Sequence, residues 1–239
     1  MSDNRPVEDR LPALLLFARA PRDGRVKTRL EPALGAEGAA KLYRAFLEDA
    51  SRAYGPPAPW SPVLYADEDP SGSGLPLLFP PPWRLERQAE GDLGTRLSEA
   101  FEKELRRGAP AAAAVGSDHP ALSRARLSEV FDNLFGGSRA CLVPAEDGGY
   151  CVIGLTRRAP VAEIFRNIPW SSPDVLAVTR ARLSGAGCDA AILAPSYDVD
   201  RPEDVARLAA DLAGRNPSDP DYPAATAAAL AFLSTGGGR

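Results

Sequence analysis

A basic segment follows the first long apolar run of the sequence. Residues 19–29 hold five cationic side chains in a chain that is acidic overall, namely Arg19, Arg22, Arg25, Lys27 and Arg29. Guanidinium and ammonium groups bind the non-bridging oxygens of phosphates, and Gly24 lets the backbone approach such a ligand closely. The segment therefore predicts a site for a phosphate chain, with a solvated basic loop as the alternative. It contains neither a G-x-G-x-x-G nor a Walker A pattern, which excludes ordinary Rossmann and P-loop sites.

Two glycines lie where a short strand meets a helix. Gly91 and Gly94 permit a planar or phosphorylated ligand to approach the backbone, and the amide of Gln88 suits the edge of a nucleobase. Asp92 lies between the glycines and is either a helix N-cap or a member of the binding site. We expect the nucleoside part of a ligand to meet Gln88, Gly91, Asp92 and Gly94.

Carboxylates follow two further apolar segments. Asp118 comes directly after a buried strand, a setting that suits Mg²⁺ or Mn²⁺ shared with a diphosphate. Either Asp198 or Asp200 is expected to supply a second carboxylate, because the two lie on one side of an extended segment. The alternatives are an Asx turn at Asp118 and a capping box at Asp200. His119 is the single histidine of the chain, which excludes a zinc site built on several histidines.

An acidic, glycine-rich turn and a tryptophan loop indicate where a second substrate would bind. Asp147, Gly148, Gly149 and Tyr150 combine a carboxylate, a flexible backbone and an aromatic ring, which suits sugar hydroxyls or another acceptor group. A plain hairpin turn is the alternative. Trp170 lies in a Pro-Trp-Ser-Ser-Pro loop that fits either closure over a substrate or a place in the core.

Strand and helix patterns alternate along most of the chain. Apolar runs predict strands at 11–18, 62–66, 83–88, 111–116, 139–143, 150–155 and 190–193. Amphipathic segments predict helices at 36–54, 92–107, 123–135, 172–184 and 202–213. This alternation indicates an α/β fold, Rossmann-like, with a mixed, mostly parallel central sheet and helices on both faces. Ligands of such folds bind at the carboxyl ends of the strands, so the loops that follow strands are the expected site.

The composition is typical of one globular domain. Of 239 residues, 44% are hydrophobic and 25% are charged, and the net charge is -4. These values exclude a disordered or fibrous chain and argue against a general nucleic-acid-binding surface. We expect a flexible arm at 1–10, the ligand-binding domain at 11–213 and a partly helical appendage at 214–239.

The cysteines and the first residues of the sequence give information on the cellular compartment of the protein. Cys141, Cys151 and Cys188 lie in apolar runs and are expected to be buried and reduced. No apolar run approaches the roughly 20 residues needed to cross a bilayer, and no secretory signal is visible. The sequence therefore favours a cytoplasmic location.

Six of these segments, in the same order over roughly residues 14–212, resemble one family. They are Phe17-Ala-Arg-Ala-Pro with Val26-Lys-Thr-Arg-Leu, Gln88 with Gly91-Asp-Leu-Gly, Gly116-Ser-Asp with Pro120, Pro144 with Asp147-Gly-Gly-Tyr, Pro169-Trp-Ser, and Asp198-Val-Asp with Pro202-Glu-Asp. The set is similar to bacterial radical-SAM/selenodomain-associated transferases (domain of unknown function 2064), in the glycosyltransferase-A-like (GT-A) nucleotide-diphospho-sugar transferase superfamily. More distantly, it resembles the guanylyltransferase of deazaflavin-cofactor synthesis and molybdenum-cofactor nucleotidyltransferases.

The resemblance implies a single GT-A domain that binds a nucleoside di- or triphosphate together with Mg²⁺ or Mn²⁺. Carried over residue by residue, it assigns phosphate contacts to Arg19, Lys27 and Arg29, base contacts to Gln88 and Gly91, and metal contacts to Asp118 and Asp200. The chain departs from related patterns in two places. Its first loop lacks the glycine-rich form of many nucleotidyltransferases, and Ser117-Asp118-His119 is not the Asp-x-Asp of many glycosyltransferases.

Three functions are compatible with these residues. The leading hypothesis is a metal-dependent glycosyltransferase that uses a nucleotide-sugar donor and a small-molecule acceptor. The alternatives are a guanylyl- or cytidylyltransferase-like enzyme that releases pyrophosphate, and a nucleotide-binding module without catalysis. In both enzymes Lys27 and Asp118 would act at the phosphates, and Asp147 would orient or deprotonate the acceptor. The sequence leaves the donor sugar, the base, the acceptor and the oligomeric state open.

Overall fold

In the part of the chain that the structure describes, seven strands form one mixed sheet at the centre of the fold. A computed structural model describes residues 10–234 of the chain. Its strands are β1 (Ala13–Ala18), β2 (Ser61–Ala66), β3 (Arg84–Arg87), β4 (Ala111–Gly116), β5 (Ala140–Pro144), β6 (Tyr150–Thr156) and β7 (Ala190–Ile192). They lie in the order β3-β2-β1-β4-β6-β5-β7. Only β6 runs antiparallel to its neighbours, so the predicted mixed, mostly parallel sheet is confirmed.

Helices cover both faces of this sheet, as expected. They are α1 (Glu31–Tyr54), α2 (Leu75–Leu78), α3 (Leu93–Arg106), α4 (Arg124–Phe135), α5 (Val161–Ile164), α6 (Val175–Gly185), α7 (Pro202–Ala213) and α8 (Ala224–Ser234). The helices α1, α2, α4, α7 and α8 contribute to the core on one face, and α3, α5 and α6 to the core on the other. Side chains of β1 alternate between these two cores because neighbouring residues of a strand point to opposite faces.

The long predicted elements match the structure to within a few residues at each end. The α1 region bends at Gly35, whose φ of 69° and ψ of 165° are not helical, and the predicted helix begins at the next residue. The sequence pattern did not predict α2 and α5, which have four residues each and are too short to show helical periodicity. It placed the start of α6 three residues too early because Pro173 and the turn before Asp174 precede the regular helix.

The strand order places a binding crevice beside β1 and β4. The chain passes from β1 to β2 and β3 on one side, and β4 then returns to the other side of β1. In open α/β sheets, a crevice opens at the carboxyl ends of the strands where the order reverses in this way. The loops after Ala18 and Gly116 flank that point. The amino end of β6, at Tyr150, meets the same edge because β6 is antiparallel.

The C-terminal helix packs against the first long helix. The carboxylate of Asp49 on α1 accepts hydrogen bonds from the backbone N–H groups of Ala225 (3.0 Å) and Thr226 (2.7 Å) at the start of α8. Such a cap satisfies two donors that a helix leaves unpaired at its first turn. The division at residue 213 stays a prediction, and most of the predicted arm at 1–10 lies outside the described residues.

Two further sequence predictions concern the cysteines and membrane-spanning helices. All three cysteines are free and buried. None of the helices between residues 10 and 234 combines the length and apolar character that a membrane span requires. A cytoplasmic location stays a prediction.

Candidate functional site

A cleft of about 500 Å³ opens at the carboxyl ends of β1 and β4. It contains six of the residues predicted for the site, namely Arg19, Lys27, Arg29, Gln88, Asp118 and Asp200. The other lining residues are Phe17, Ala18, Val26, Thr28, Tyr43, Asp67, Leu93, Arg96, Gly116 and Ser117. The cleft therefore gathers the basic loop, the start of α3 and two of the acidic loops.

The local fold of the basic loop directs Lys27 into this cleft. Val26 and Leu30 are buried and anchor the loop on both sides of the lysine. Lys27 itself has a left-handed backbone, with φ of 50° and ψ of 38°, and it precedes a single 3₁₀ turn at Thr28–Leu30. Few non-glycine residues adopt this conformation, so the surrounding packing holds it in place.

The ammonium group of Lys27 lies between two predicted metal ligands. Its Nζ is 2.6 Å from Asp118 Oδ1 and 2.7 Å from Asp200 Oδ1. The lysine side chain is 3% exposed, whereas the Asp118 and Asp200 side chains are 43% and 34% exposed. The carboxylates therefore face the cleft, and the lysine sits behind its surface. Arg29 approaches Asp200 Oδ2 from the solvent side at 3.4 Å.

Backbone hydrogen bonds bring these two carboxylates together. The N–H of Ser117 donates to Phe17 C=O (3.1 Å), which ties the loop after β4 to β1. The N–H of Val199 donates to Asp118 C=O (2.9 Å), which joins that loop to the segment after β7. Because Val199 is fully buried and precedes Asp200, this bond sets the position of the second carboxylate.

Charge and burial shift the pKa of both members of the Lys27–Asp200 pair. Burial alone would lower the pKa of Lys27, but Asp118 and Asp200 together raise it above its usual value. Burial would raise the pKa of Asp200, but Lys27 and then Arg29 hold it below its usual range. The pair is therefore fully ionised near neutral pH. The pKa of Asp198 is raised, by burial and by the nearby Asp200.

The donor set fits a divalent cation that substrate oxygens complete. Asp118 and Asp200 supply two hard oxygen ligands at the mouth of the cleft, and Mg²⁺ is commonly held by one or two carboxylates plus substrate phosphates and water. Within residues 10–234 there is no cluster of three or more His, Cys, Asp or Glu side chains that would enclose a metal without a substrate. In the structure, the ammonium group of Lys27 supplies the positive charge between Asp118 and Asp200.

A buried hydroxyl network supports the floor of the cleft and was missed by the sequence analysis. The Tyr43 hydroxyl accepts from the backbone N–H of Arg19 (2.9 Å) and shares a hydrogen bond with Ser117 Oγ (2.7 Å). Tyr43 was assigned only to the apolar face of α1. The available signal was its hydroxyl, because a buried tyrosine hydroxyl normally requires a polar partner.

Of the four residues predicted for the nucleoside, Gln88 lines the cleft and Gly91, Asp92 and Gly94 do not. Gln88 and Asp92 are engaged in local structure. Gln88 Nε2 donates to Tyr65 C=O (2.8 Å) and Ala18 C=O (3.2 Å). Asp92 caps α3 by accepting from Thr95 N–H at 2.8 Å. Gly91 has a φ of 115°, which favours glycine. Their roles toward a nucleobase stay predictions.

The residues predicted for an acceptor form a separate pair of loops. Asp147 Oδ1 accepts from Gly149 N–H (2.9 Å), as in a simple turn, and Asp147 does not line the 500 Å³ cleft. A Cβ on Gly148 would lie 2.2 Å from Pro173 C=O, so this turn packs directly against the tryptophan loop.

The tryptophan loop also reaches the nucleoside side of the site. The Tyr150 and Trp170 rings meet edge to face at 6.5 Å between centroids. Trp170 Nε1 would lie 2.9 Å from a Cβ on Gly94, at the start of α3. Trp170 Nε1 is buried without a hydrogen-bond partner, and the buried Tyr150 hydroxyl faces the Thr179 hydroxyl. The aromatic pair thus connects the predicted acceptor loops with α3.

Comparison with known families supports the resemblance inferred from the motifs. A family described as uncharacterized proteins conserved in bacteria (DUF2064) has a sequence model that matches residues 56–172. That segment contains Gln88, Asp118 and Asp147 but neither Lys27 nor Asp200. No curated protein matches the sequence.

Comparison with solved structures covers nearly the whole chain. A protein from Desulfovibrio desulfuricans G20, provisionally described as a nucleotide-diphospho-sugar transferase, superposes with a TM-score of 0.84 at 26% identity, over 94% of this chain and 95% of that chain. A 4-diphosphocytidyl-2C-methyl-D-erythritol synthase from Anaerococcus prevotii DSM 20548 gives a TM-score of 0.58 at 11% identity, over 87% and 98%. A cytidylyltransferase from Leptospira borgpetersenii serovar Hardjo-bovis gives 0.58 at 11% identity, over 95% of each chain. The comparisons with the Anaerococcus and Leptospira proteins concern the fold alone.

Proposed function

We propose that this chain is a transferase with a nucleotide-activated donor, and specifically a metal-dependent glycosyltransferase that uses a nucleotide sugar. The observation that carries the proposal is the meeting of Lys27, Asp118 and Asp200 in one cleft at the switch point of the sheet. These three residues come from loops after β1, β4 and β7. The likeness to the D. desulfuricans protein supports the same class of donor.

The cleft residues divide into groups that suit the parts of such a donor. Arg19, Lys27 and Arg29 line the cleft and would bind the diphosphate, whose charge increases as the glycosyl bond breaks. A divalent cation held by Asp118 and Asp200 would add further positive charge beside those phosphates. Gln88 would meet the base, with Phe17 and Leu93 as apolar walls.

The acceptor would bind at the loops next to Tyr150 and Trp170. These loops lie at the same edge of the sheet as the cleft. They carry a carboxylate and two aromatic side chains, which suit a ligand rich in hydroxyl groups. Asp147, beside Gly148 and Gly149, would orient the attacking hydroxyl or accept its proton.

The test is a product analysis with labelled donors. The protein is incubated with Mn²⁺ or Mg²⁺, a panel of nucleotide sugars and nucleoside triphosphates, and a mixture of small polyol and phosphorylated acceptors. A glycosyltransferase releases a nucleoside diphosphate and transfers the sugar label. Asp118→Asn should lower this turnover by at least about a hundredfold, while the exposed control Asp132→Asn should not. Absence of any product across the panel would contradict the proposal.

Nucleotidyl transfer is the second candidate, and the density of cations in the first loop favours it. Three cationic side chains of the loop line the cleft, which also suits a triphosphate. The same incubation separates the two reactions, because nucleotidyl transfer releases pyrophosphate and leaves the nucleoside monophosphate on the acceptor. A module without catalysis would bind a nucleotide but yield neither product.

A further inference from the structure

The position of Lys27 has a consequence for how metal and nucleotide bind. Its ammonium group contacts both predicted metal ligands, at 2.6 Å and 2.7 Å, and its side chain is almost completely shielded from solvent. Arg29 contacts only Asp200, at the longer distance of 3.4 Å, and its side chain is 67% exposed. Lys27 is therefore the principal counter-charge of this carboxylate pair in the free protein.

The two carboxylates cannot separate freely if Lys27 leaves. The hydrogen bond from Val199 N–H to Asp118 C=O joins their backbones, and the N–H of Asp200 is held by Asp204 Oδ2 at 3.0 Å. Without a cation between them, two carboxylates held this close would repel each other. The position thus requires a positive charge, and either an ammonium group or a metal ion can provide it.

Rotation of the lysine side chain alone, with the loop unchanged, would carry its ammonium group to a ligand in the cleft. Its backbone is fixed by the buried neighbours Val26 and Leu30, but the four-carbon stem of a lysine rotates readily. Lys27 lines the same cleft as Arg19 and Arg29, so a diphosphate bound there would offer its ammonium group an alternative anion. The carboxylates would then be released for a metal.

We propose that Lys27 and a divalent cation compete for Asp118 and Asp200, and that the phosphates of the donor favour the metal by drawing Lys27 away. This inference rests on the proposed function for the identity of the ligands. It predicts weak metal binding to the free protein and positive coupling between metal and nucleotide. Lys27 would then delay assembly of the metal site until a donor is present.

The first experiment measures Mn²⁺ binding in the absence of any nucleotide, by the electron paramagnetic resonance signal of free Mn²⁺. Lys27→Met removes the competing charge and keeps most of the stem, so we expect it to bind Mn²⁺ at least about tenfold more tightly than the natural chain. Lys41→Met is the matched control, because Lys41 lies over the Phe232 ring and does not line the cleft. Equal or weaker Mn²⁺ binding by Lys27→Met would overturn the inference.

A second arm measures the coupling in the natural chain and in Lys27→Met with the nucleoside diphosphates UDP, CDP and GDP. In the natural chain, the diphosphate that binds should tighten Mn²⁺ binding, and the factor should be smaller in Lys27→Met. If no diphosphate binds the natural chain, the proposed function fails, whereas the Mn²⁺ measurement without nucleotide still decides on the competition. An equal coupling factor in both proteins contradicts the role of Lys27.

A structural measurement on the natural chain covers the case in which Lys27→Met does not fold, as judged by circular dichroism. Crystals equilibrated with Mn²⁺ and the diphosphate that binds should show the anomalous signal of the metal between Asp118 and Asp200, with Nζ displaced toward the phosphates. If Nζ still bridges the two carboxylates under these conditions, the inference is wrong.

Discussion

Single residues at the acceptor loops show how closely two segments of backbone meet. Gly148 has a φ of 92°, and a Cβ there would lie 2.2 Å from the carbonyl oxygen of Pro173. The backbone of Leu176 also donates to Gly148 C=O, at 2.9 Å. Gly148 is therefore required by both its conformation and its contact, and it fixes the turn at 145–149 against the tryptophan loop.

Gly148→Ala should destabilise the protein by about 3 kcal/mol, the sum of left-handed strain and a steric clash. Gly137→Ala is a control for the strain alone, because Gly137 has a φ of 119° but no atom within 4 Å of its would-be Cβ. We expect Gly137→Ala to lower the free energy of unfolding by only about 1 kcal/mol. Urea unfolding measures both losses, and equal values would show that the contact with Pro173 does not matter.

Buried thiols provide a second prediction at the residue scale. Burial, together with nearby carboxylates, raises the pKa of Cys141 to about 11 and that of Cys151 to about 12, from an ordinary value of 9.0. At pH 8 these two thiols should react with DTNB at least about a hundredfold more slowly in the folded chain than in urea, because the thiolate is the reactive form. Because the pKa of each thiol is higher in the folded chain than in the unfolded chain, the protonated thiols stabilise the fold fully below pH 9.0. This stabilisation is lost as the pH rises through about 11 for Cys141 and about 12 for Cys151. Equal reaction rates in both states would contradict the burial.

At the scale of elements, a buried acid joins α3 to the outer strands of the sheet. The Glu104 side chain is 2% exposed and accepts from the Tyr65 hydroxyl (3.0 Å) and from Arg107 Nη1 (2.9 Å). It also pairs with Arg84 on the edge strand β3. Because Leu93 and Arg96 of α3 line the cleft, this cluster sets the position of one wall of the cleft.

Glu104→Gln should cost about 2 kcal/mol of unfolding free energy, because two guanidinium groups lose their shared buried partner. Glu102→Gln on the same helix removes only an exposed pair with Arg106 and should change stability by less than about 0.5 kcal/mol. Chemical unfolding compares the two variants. A loss for Glu104→Gln no larger than for Glu102→Gln would show that the cluster does not stabilise the fold.

At the scale of the whole molecule, Asp49 links the first long helix, α1, to α8, far away in the sequence. It caps α8 from α1, across 176 and 177 residues of sequence to Ala225 and Thr226. The helix α8 is thereby held on the core of the sheet. The cleft lies at another part of α1, where Tyr43 supports Ser117.

Asp49→Ala removes the acceptor of two N–H groups and should weaken the docking of α8 by about 2 kcal/mol. We expect α8 to detach while the sheet stays folded. Hydrogen exchange followed by mass spectrometry should show faster exchange across Ala224–Ser234 and unchanged exchange in β1 and β4. The exposed neighbour Glu48, changed to alanine, is the control. Unchanged exchange in α8 would mean that apolar packing alone docks this helix.

The amino-acid sequence determined the local helices and strands and their order along the chain. A continuous apolar run located β4 at its observed bounds, and helical periodicity located α7 at its observed bounds. The motifs also indicated Lys27, Asp118 and Asp200 as members of one site, since each follows a strand. Elements of four residues were missed because they contain too little periodicity.

Only the tertiary structure decided how these residues contact one another. Lys27 lies between two carboxylates because the N–H of Val199 donates a hydrogen bond to the C=O of Asp118. This bond joins two loops that are 81 positions apart in sequence. Tyr43 became a support of the site only through its contact with Ser117. Such contacts depend on the packing of strands distant in the chain, whereas sequence patterns report only the preferences of near neighbours. The physical reason is that local propensity is set within a few residues, and a site is set by the sheet that brings its loops together.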